Sequence, residues 1–273
     1  ELKSEIMKNK IITANPTLTT SSNNTKDESG LYKSTATNTG KPTYYFRGNV
    51  TNNYVKFAGQ TWRIVRINED GTIRIIMQKA ANGKNYQFNS NPNNQSYMYY
   101  DNSDAKRVLE SWYNTNIDSN DELSSKVVNG YYYCQQAKVK YNSNFKSGNA
   151  NMALYNSYTP NFKCNTDGNG KGLVNANIGL ITYDEIVFAG AYLGQKNSNY
   201  YLYNKYDIWT ISPAGYKNSS STAATWCVYT TGSIGEDYRA VYNLHTLRPV
   251  INLKSDTEIS DGDGTKDNPF VIQ

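Results

Sequence analysis

Two short stretches in the last quarter of the chain, Trp209-Thr-Ile-Ser-Pro213 and Leu247-Arg-Pro-Val-Ile-Asn-Leu253, are the most informative part of the sequence. Apolar residues flank a Ser-Pro step in the first stretch and an Arg-Pro step in the second. This pattern is typical of two paired strands rather than of a catalytic loop. We therefore interpret both stretches as scaffold. Any binding site is expected in the loops that they hold apart, residues 200–206 and 214–225.

Alternation of apolar and polar residues predicts further strands on both sides of this pair. Asp70-Gly71 separates two alternating runs and predicts a hairpin, because glycine adopts the positive φ that a tight turn requires. The run at residues 270–272 is expected to return as a terminal edge strand. The predicted strands cover residues 54–57, 60–67, 72–77, 206–211, 225–230, 247–253 and 270–272.

Two segments switch to the helical period. The first covers residues 103–117, with Asn102 or Ser103 as the N-cap and Trp112 facing the core. Its apolar stripe consists of Ala105, Val108, Leu109, Trp112 and Tyr113. The second begins with Thr182-Tyr-Asp-Glu185, a capping box that gives Thr182 and Glu185 structural roles.

The first forty residues differ in texture from the rest of the chain. A short helical pattern ends at Asn15-Pro16, and a stretch rich in Thr, Ser and Asn follows. We expect residues 1–40 to form an extended or partly helical N-terminal stalk and residues 41–273 to form a globular head. The predicted fold class is α+β: a β-rich single domain with two main amphipathic helices packed on antiparallel sheets.

Composition narrows the classes of partner. The net charge of +5 is spread thinly, without a basic run, which argues against nucleic acid. No apolar stretch is long enough to cross a membrane, and the chain begins with Glu rather than Met, so we expect a trimmed leader or anchor upstream. The 25 Tyr and 4 Trp residues suit either a core or a wet binding face.

The three cysteines, Cys134, Cys164 and Cys227, contain no CxxC pair. In an exported protein, Cys134 and Cys164 could form a disulfide bond that closes a loop, and Cys227 would then lie outside that bond. The alternative is three reduced, buried thiols.

Motifs for catalysis are missing from the sequence. It contains no HExxH, GxSxG or P-loop pattern, and Gly168-Asn-Gly-Lys-Gly172 lies in an Asn-rich loop. Cys227 and His245 are formally a nucleophile and a base, but a lone His near a strand end is more often structural. We therefore expect no enzyme and no cofactor.

A calcium site is the weak exception among cofactors. Asp261, Asp263 and Asp267 alternate around glycines, so their oxygens could converge on one turn. The spacing is not that of an EF-hand, and a tight hairpin with solvated carboxylates explains it equally well.

In order, the segments resemble a family of surface-anchored, sometimes prepilin-like, proteins of gut Clostridia and related low-GC Gram-positive bacteria. The matching stretches are Tyr44-Tyr-Phe-Arg-Gly48, Tyr54-Val-Lys-Phe-Ala-Gly59, Trp62-Arg-Ile-Val-Arg-Ile67, Leu109-Glu-Ser-Trp112, Gly179-Leu-Ile-Thr182, Asp184-Glu185, Phe188-Ala-Gly190, Trp209-Thr, Ser212-Pro213 and Leu247-Arg-Pro-Val-Ile-Asn-Leu253. The resemblance implies an exported protein with an N-terminal anchor and a C-type-lectin-like C-terminal region. It also places a cysteine at each of the positions of Cys134 and Cys164, which favours their disulfide. Cys227 departs from the family pattern.

Three functions remain open at this point. The first is a non-catalytic, extracellular binding or adhesion head on a Gram-positive surface that contacts a host or microbial glycan or protein, with a membrane reached only through the absent anchor. The second is a structural pilin-like subunit or tip protein. The third is a lectin-like receptor diversified by a retroelement. The candidate ligand residues lie between the second helix and the last strands, and are Tyr200, Tyr201, Tyr203, Tyr216, Asn218 and Trp226.

Overall fold

A computed structural model describes residues 5–15, 17–19, 29–137, 160–192, 195–234 and 239–272. Within these residues the strands, in chain order, are β1 (Glu5–Ile6), β2 (Thr17–Thr19), β3 (Gly30–Ser34), β4 (Thr43–Arg47), β5 (Tyr54–Phe57), β6 (Gln60–Ile67), β7 (Ile73–Met77), β8 (Asn85–Gln87), β9 (Tyr131–Cys134), β10 (Leu173–Ala176), β11 (Ile208–Lys217), β12 (Thr222–Val228), β13 (Arg239–Ala240), β14 (Leu244–Thr246), β15 (Val250–Leu253), β16 (Glu258–Asp261) and β17 (Phe270–Ile272). The α-helices are α1 (Met7–Ala14), α2 (Asp104–Tyr113), α3 (Asp121–Lys126) and α4 (Tyr183–Ala189).

The larger sheet has ten strands in the order β1-β16-β17-β5-β6-β4-β3-β2, with β7 and then β15 added beside β6. The predicted hairpin at Asp70-Gly71 is confirmed: β6 and β7 are antiparallel, and Gly71 has a φ of 85°. Asp70 Oδ1 accepts a hydrogen bond from Thr72 N at 3.0 Å, which fixes the turn locally.

The prediction that residues 270–272 form an edge strand is wrong. β17 lies inside the large sheet, antiparallel to β16 on one side and parallel to β5 on the other. Phe270 is buried because the glycine-rich turn before β17 folds back on it.

The prediction that the stretches at residues 209–213 and 247–253 form paired strands is wrong, because they lie in different sheets. A second sheet of five strands has the order β13-β12-β11-β14-β8, and a third consists of β9 and β10. Trp209 lies in the five-stranded sheet, whereas β15 pairs with β7 in the large one. A segment before α4 joins the sheets: Gly179 pairs with Val250, and Ile211 N donates to Ile181 O at 2.9 Å. Apolar alternation fixes a strand, but it does not select the neighbouring strand.

Both predicted helices are confirmed, and so are their caps. Ser103 Oγ accepts from Lys106 N at the start of α2, and a π-helical turn, Asn114–Asp118, extends that helix. The capping box of α4 has both of its hydrogen bonds, between Thr182 and Glu185. Gly190 ends α4 with a φ of 128°.

Glu185 also carries the most buried ion pairs of the described residues. Its Oε1 accepts from Arg66 Nε at 3.0 Å and lies 2.7 Å from Arg74 Nε, while Oε2 accepts from Thr182 N at 2.9 Å. Burial alone would raise the pKa of Glu185, but Arg74, Arg66 and the bond from Thr182 outweigh it, so the pKa is lowered. Every polar atom of this carboxylate is therefore occupied by the scaffold.

The N-terminal residues belong to the domain rather than to a separate stalk. Met7 and Ile11, one helical turn apart on α1, are fully buried in the main core, and β1 pairs with β16. Leu31 of β3 pairs with Phe46 of β4. The stalk prediction is wrong for these residues because it weighed the polar composition above this short apolar pattern. Residues 1–4, 16 and 20–28 lie outside the described part of the chain.

One core cluster runs from Met7 to Phe270. The described residues thus form an α+β, strand-rich single domain with few helices packed on sheets. The predicted disulfide is present between Cys134 and Cys164, while Cys227 is buried and outside it. Among the described helices, none has the length and apolar character needed to cross a bilayer.

Candidate functional site

Half of the predicted ligand residues are part of the core. Tyr200, Tyr201 and Trp226 are only 3%, 4% and 2% exposed. The Tyr200 hydroxyl donates to Gly232 O at 3.0 Å, and the Trp226 ring packs against Tyr183. Because their rings present no surface to solvent, these three residues cannot line an exposed face in this conformation.

The other three predicted residues are not brought together. Tyr203 lies beside Tyr200, near the start of β11, whereas Tyr216 and Asn218 lie at its far end. A strand of this length separates its ends by roughly 3.3 Å per residue. The predicted loop at residues 214–225 is also mostly strand, and only the turn between Lys217 and Thr222 connects β11 to β12.

Cys227 and His245 do not form a nucleophile and base pair. Cys227 lies on β12 opposite Trp209 of β11, and His245 lies on β14. Since β11 runs between β12 and β14 in the sheet, Trp209 and its strand separate the thiol from the imidazole.

His245 has an environment that opposes its charge. Its ring packs edge-on against Trp209, with ring centroids 4.5 Å apart, and its Nδ1 lies 3.5 Å from Asp207 Oδ2. Nε2 is buried and has no hydrogen-bond partner among the described residues. Burial lowers the pKa of His245 and Arg239 acts in the same direction, against the opposing pull of Asp207.

We expect His245 to make stability depend on pH near neutrality. In the unfolded chain the histidine takes up a proton near pH 6.5, whereas in the folded protein its protonation is disfavoured. The free energy of unfolding should therefore be highest above about pH 6.5 and should decrease as the pH falls below that value. Urea unfolding at about pH 7.5 and about pH 5.5 should show the loss in the wild type, and His245→Gln should lack it. His245 is the only histidine in the sequence, so an equal loss in both proteins would contradict the assignment.

Two of the three aspartates of the calcium prediction, Asp261 and Asp263, accept hydrogen bonds from their own turn. Asp261 Oδ1 accepts from Gly262 N at 2.7 Å, and Asp263 Oδ1 accepts from Thr265 N at 2.9 Å. Hydrogen bonds from Thr265 lower the pKa of Asp263. In the part of the chain that the structure describes, no group of three metal-ligating side chains occurs. Calcium binding at Asp261, Asp263 and Asp267 stays a prediction without support from this geometry.

The large sheet instead places three lysines around one open cavity of about 500 Å³. We call this cavity the lysine cleft. Its floor is formed by β5, β6 and the end of β7, and the loop between β16 and β17 closes one side. The lining residues are Tyr54, Lys56, Gly59, Gln60, Thr61, Gln78, Lys79 and Lys266.

The lysine cleft is electropositive. Lys56, Lys79 and Lys266 are exposed, and none of them forms an ion pair with a described carboxylate. Lys56 Nζ donates to Thr61 Oγ1 at 2.8 Å, which holds that ammonium group at the wall. Three uncompensated positive charges in one concave surface favour an anionic ligand.

Two further side chains, Gln78 and Tyr54, form the wall of the lysine cleft. Gln78 lines the cleft, but its Oε1 is buried and has no hydrogen-bond donor among the described residues. One face of the Tyr54 ring is covered by the Arg63 guanidinium, 3.8 Å from its centroid. That contact holds the Tyr54 ring in place at the wall.

A second cavity of about 230 Å³ adjoins the lysine cleft and shares Lys56 and Gly59 with it. The two cavities lie on either side of the β5–β6 turn, where Ala58 and Gly59 have φ values of 49° and 68°. The second cavity is lined by Lys56, Phe57, Ala58, Gly59, Glu122, Leu123, Lys126 and Ile272. The surface around this turn can therefore follow a ligand longer than the lysine cleft alone.

Sequence reasoning missed the lysine cleft because its lysines are far apart in the chain and never form a basic run. The signal that could have found it is the exposed face of β5, where Tyr54 and Lys56 alternate with the buried Val55 and Phe57. No protein-family model matches the chain, and neither the curated proteins nor the solved structures contain a match. No relative therefore assigns a role to these residues.

Proposed function

We propose that this protein is a non-catalytic binding module displayed outside a Gram-positive cell, and that it holds an acidic surface glycan in the lysine cleft. The observation that carries the proposal is the convergence of Lys56, Lys79 and Lys266 on one cavity, where no carboxylate of the described residues pairs with them. The three ammonium groups supply positive charge to a ligand, and the side chains of Gln60 and Thr61 supply hydrogen-bonding groups.

The disulfide supports the extracellular part of the proposal. Disulfides persist in oxidising compartments and are rare in the cytosol. The Cys134–Cys164 bond fastens β9 to a loop at the surface, where Cys164 N also donates to Asn38 Oδ1 at 2.6 Å. Attachment through an upstream N-terminal anchor belongs to the same proposal.

The chemistry of the lysine cleft favours a glycan among anionic surface molecules. A sugar acid offers hydroxyl groups to the polar side chains of the wall, Gln60 and Thr61, and carboxylate or sulfate groups to the ammonium groups. The cavity on the far side of the β5–β6 turn adds room for a neighbouring sugar.

Charge reversal in the lysine cleft should weaken this binding. The double variant Lys79→Glu/Lys266→Glu should bind an acidic glycan about 30-fold more weakly, since each reversal removes roughly 1 kcal/mol. Biolayer interferometry would be run on immobilised hyaluronan, heparin and neutral dextran. Binding of the wild type should weaken as salt is added, because the contacts are exposed to solvent.

The matched control reverses two exposed lysines elsewhere, Lys33→Glu/Lys84→Glu, with the same change in net charge. This control should bind as the wild type does. Equal losses in both double variants would show a general charge effect and refute the lysine cleft as the site. Binding to dextran as strong as to the acidic glycans would refute the anionic ligand.

The family resemblance and the C-type-lectin-like assignment form the finer part of this proposal. They are supported by the order of the matching segments along the chain, from residue 44 to residue 253. An experimental structure of the head that superposes on a C-type lectin domain would support the assignment, and one with a different strand order would refute it.

A further inference from the structure

The second cavity, beside the lysine cleft, differs from it in chemistry. One of its walls is apolar and is formed by Phe57, Ala58, Leu123 and Ile272. The last three side chains pack against the main core but are only partly buried, so part of each stays open to the cavity. An apolar group of a ligand that covers this wall removes it from water, which favours binding.

The large sheet holds the apolar wall in place. β17 runs parallel to β5, which brings Ile272 to the end of β5 that carries Phe57. α3 is tied to the same sheet directly after its last turn, where Val128 N donates to Asn252 O at 2.9 Å. The cavity therefore lies between elements that the sheet fixes, and a ligand does not have to order them when it binds.

Two side chains of opposite charge, Glu122 and Lys126, also line this cavity. They lie four residues apart on α3, but neither forms an ion pair with the other or with another described residue. A carboxylate accepts hydrogen bonds and an ammonium group donates them. The cavity thus offers a ligand an acceptor and a donor beside its apolar wall.

An acetamido group is the sugar substituent that matches all three features. Its N–H can donate to the Glu122 carboxylate, its carbonyl oxygen can accept from Lys126, and its methyl group can cover the apolar wall. A second acidic group would share the cavity with Glu122, and an amino group would share it with Lys56 and Lys126. Like charges in one cavity repel each other. A hydroxyl group alone would leave the apolar wall uncovered.

We propose that the second cavity binds the acetamido group of an N-acetylhexosamine whose neighbour in the glycan is the acidic sugar held by the lysine cleft. The ligand is then a linear glycan in which uronic acid and N-acetylhexosamine alternate. The two cavities share Lys56 and Gly59, so adjacent sugars of one glycan can occupy both. This inference rests on the proposed function and names the repeating unit that the protein recognises.

The test compares two acidic glycans with equal numbers of carboxylates by isothermal titration calorimetry. Hyaluronan fragments alternate uronic acid with N-acetylglucosamine, whereas oligogalacturonate has no acetamido group. The wild type should bind hyaluronan about 10-fold more tightly. Glu122→Ala should weaken hyaluronan binding about 5-fold, because a hydrogen bond to a charged group is lost, and should not weaken oligogalacturonate binding. Charge alone predicts the opposite sign, since removing a carboxylate favours an anion.

Asp121→Ala is the matched control. Asp121 is an exposed carboxylate on the same turn of α3, but it lines neither cavity, so its removal should not weaken hyaluronan binding. Leu123→Ser reduces the apolar wall and should weaken the binding of hyaluronan only. Unchanged binding of oligogalacturonate shows that each variant is folded.

This inference and the proposed function fail by different results. Hyaluronan bound by the wild type no more tightly than oligogalacturonate would overturn the inference alone. So would hyaluronan binding that Glu122→Ala leaves unchanged or tightens, or that Asp121→Ala weakens equally. A wild type that binds neither glycan would refute the proposed function and this inference together.

Discussion

Replacing Glu185 with Gln should lower the free energy of unfolding by about 3 to 5 kcal/mol. The substitution keeps the shape of the side chain but removes the charge that Arg66 and Arg74 share, and Arg74 is almost fully buried. Breaking a buried ion pair is strongly destabilising because the remaining charge is left without compensation. Urea unfolding monitored by tryptophan fluorescence would measure the difference.

The control for this variant is Glu110→Gln. Glu110 pairs with Lys106 one turn away on α2, and its side chain is 41% exposed. Pairs of this kind contribute about 0.3 to 0.5 kcal/mol, so the control should be nearly as stable as the wild type. A Glu185→Gln variant within about 1 kcal/mol of the wild type would show that the three side chains do not act as a buried unit.

The same carboxylate should contribute to acid sensitivity. The pKa of Glu185 is lowered in the folded protein. Its contribution to the free energy of unfolding is therefore fully present above about pH 4.3, the pKa of Glu in an unfolded chain, and is lost as the pH falls through the lower pKa of the folded protein. The wild type should therefore lose stability more steeply in acid than Glu185→Gln.

The second large effect concerns the disulfide. Cys134→Ser/Cys164→Ser should lower the free energy of unfolding by about 3 to 4 kcal/mol, because the bond joins residues 30 positions apart and restricts the unfolded chain. Thermal unfolding with and without dithiothreitol would measure this loss of stability.

The double variant should be insensitive to the reductant, whereas Cys227→Ser should respond as the wild type does. An unchanged midpoint of the reduced wild type would contradict the prediction.

Local signals in the sequence predicted local structure well. The Asp70-Gly71 hairpin, the capping box of Thr182 and Glu185 and the apolar stripe of α2 each depend on residues within a few positions of one another. Their energetics are therefore contained in the pattern itself. The disulfide followed from a family resemblance rather than from spacing.

Partners distant in sequence were not predictable from the same patterns. The strand that contains Trp209 and the strand at residues 250–253 have the expected alternation but lie in different sheets, because alternation does not specify a neighbour. Tyrosine is ambiguous for a similar reason: Tyr200 and Tyr203 suit a core or a wet surface equally well until the packing is known. The lysine cleft depends on three residues that only the sheet brings together.

The position of β17 has a consequence for the order of events during synthesis. Its residues, Phe270–Ile272, are inserted between β16 and β5, and β1, near the start of the chain, pairs with β16. A nascent chain emerging from the ribosome cannot complete the large sheet until residue 272 has been made. Contacts between such distant segments also form slowly. The chain should consequently close this sheet only after synthesis has reached β17.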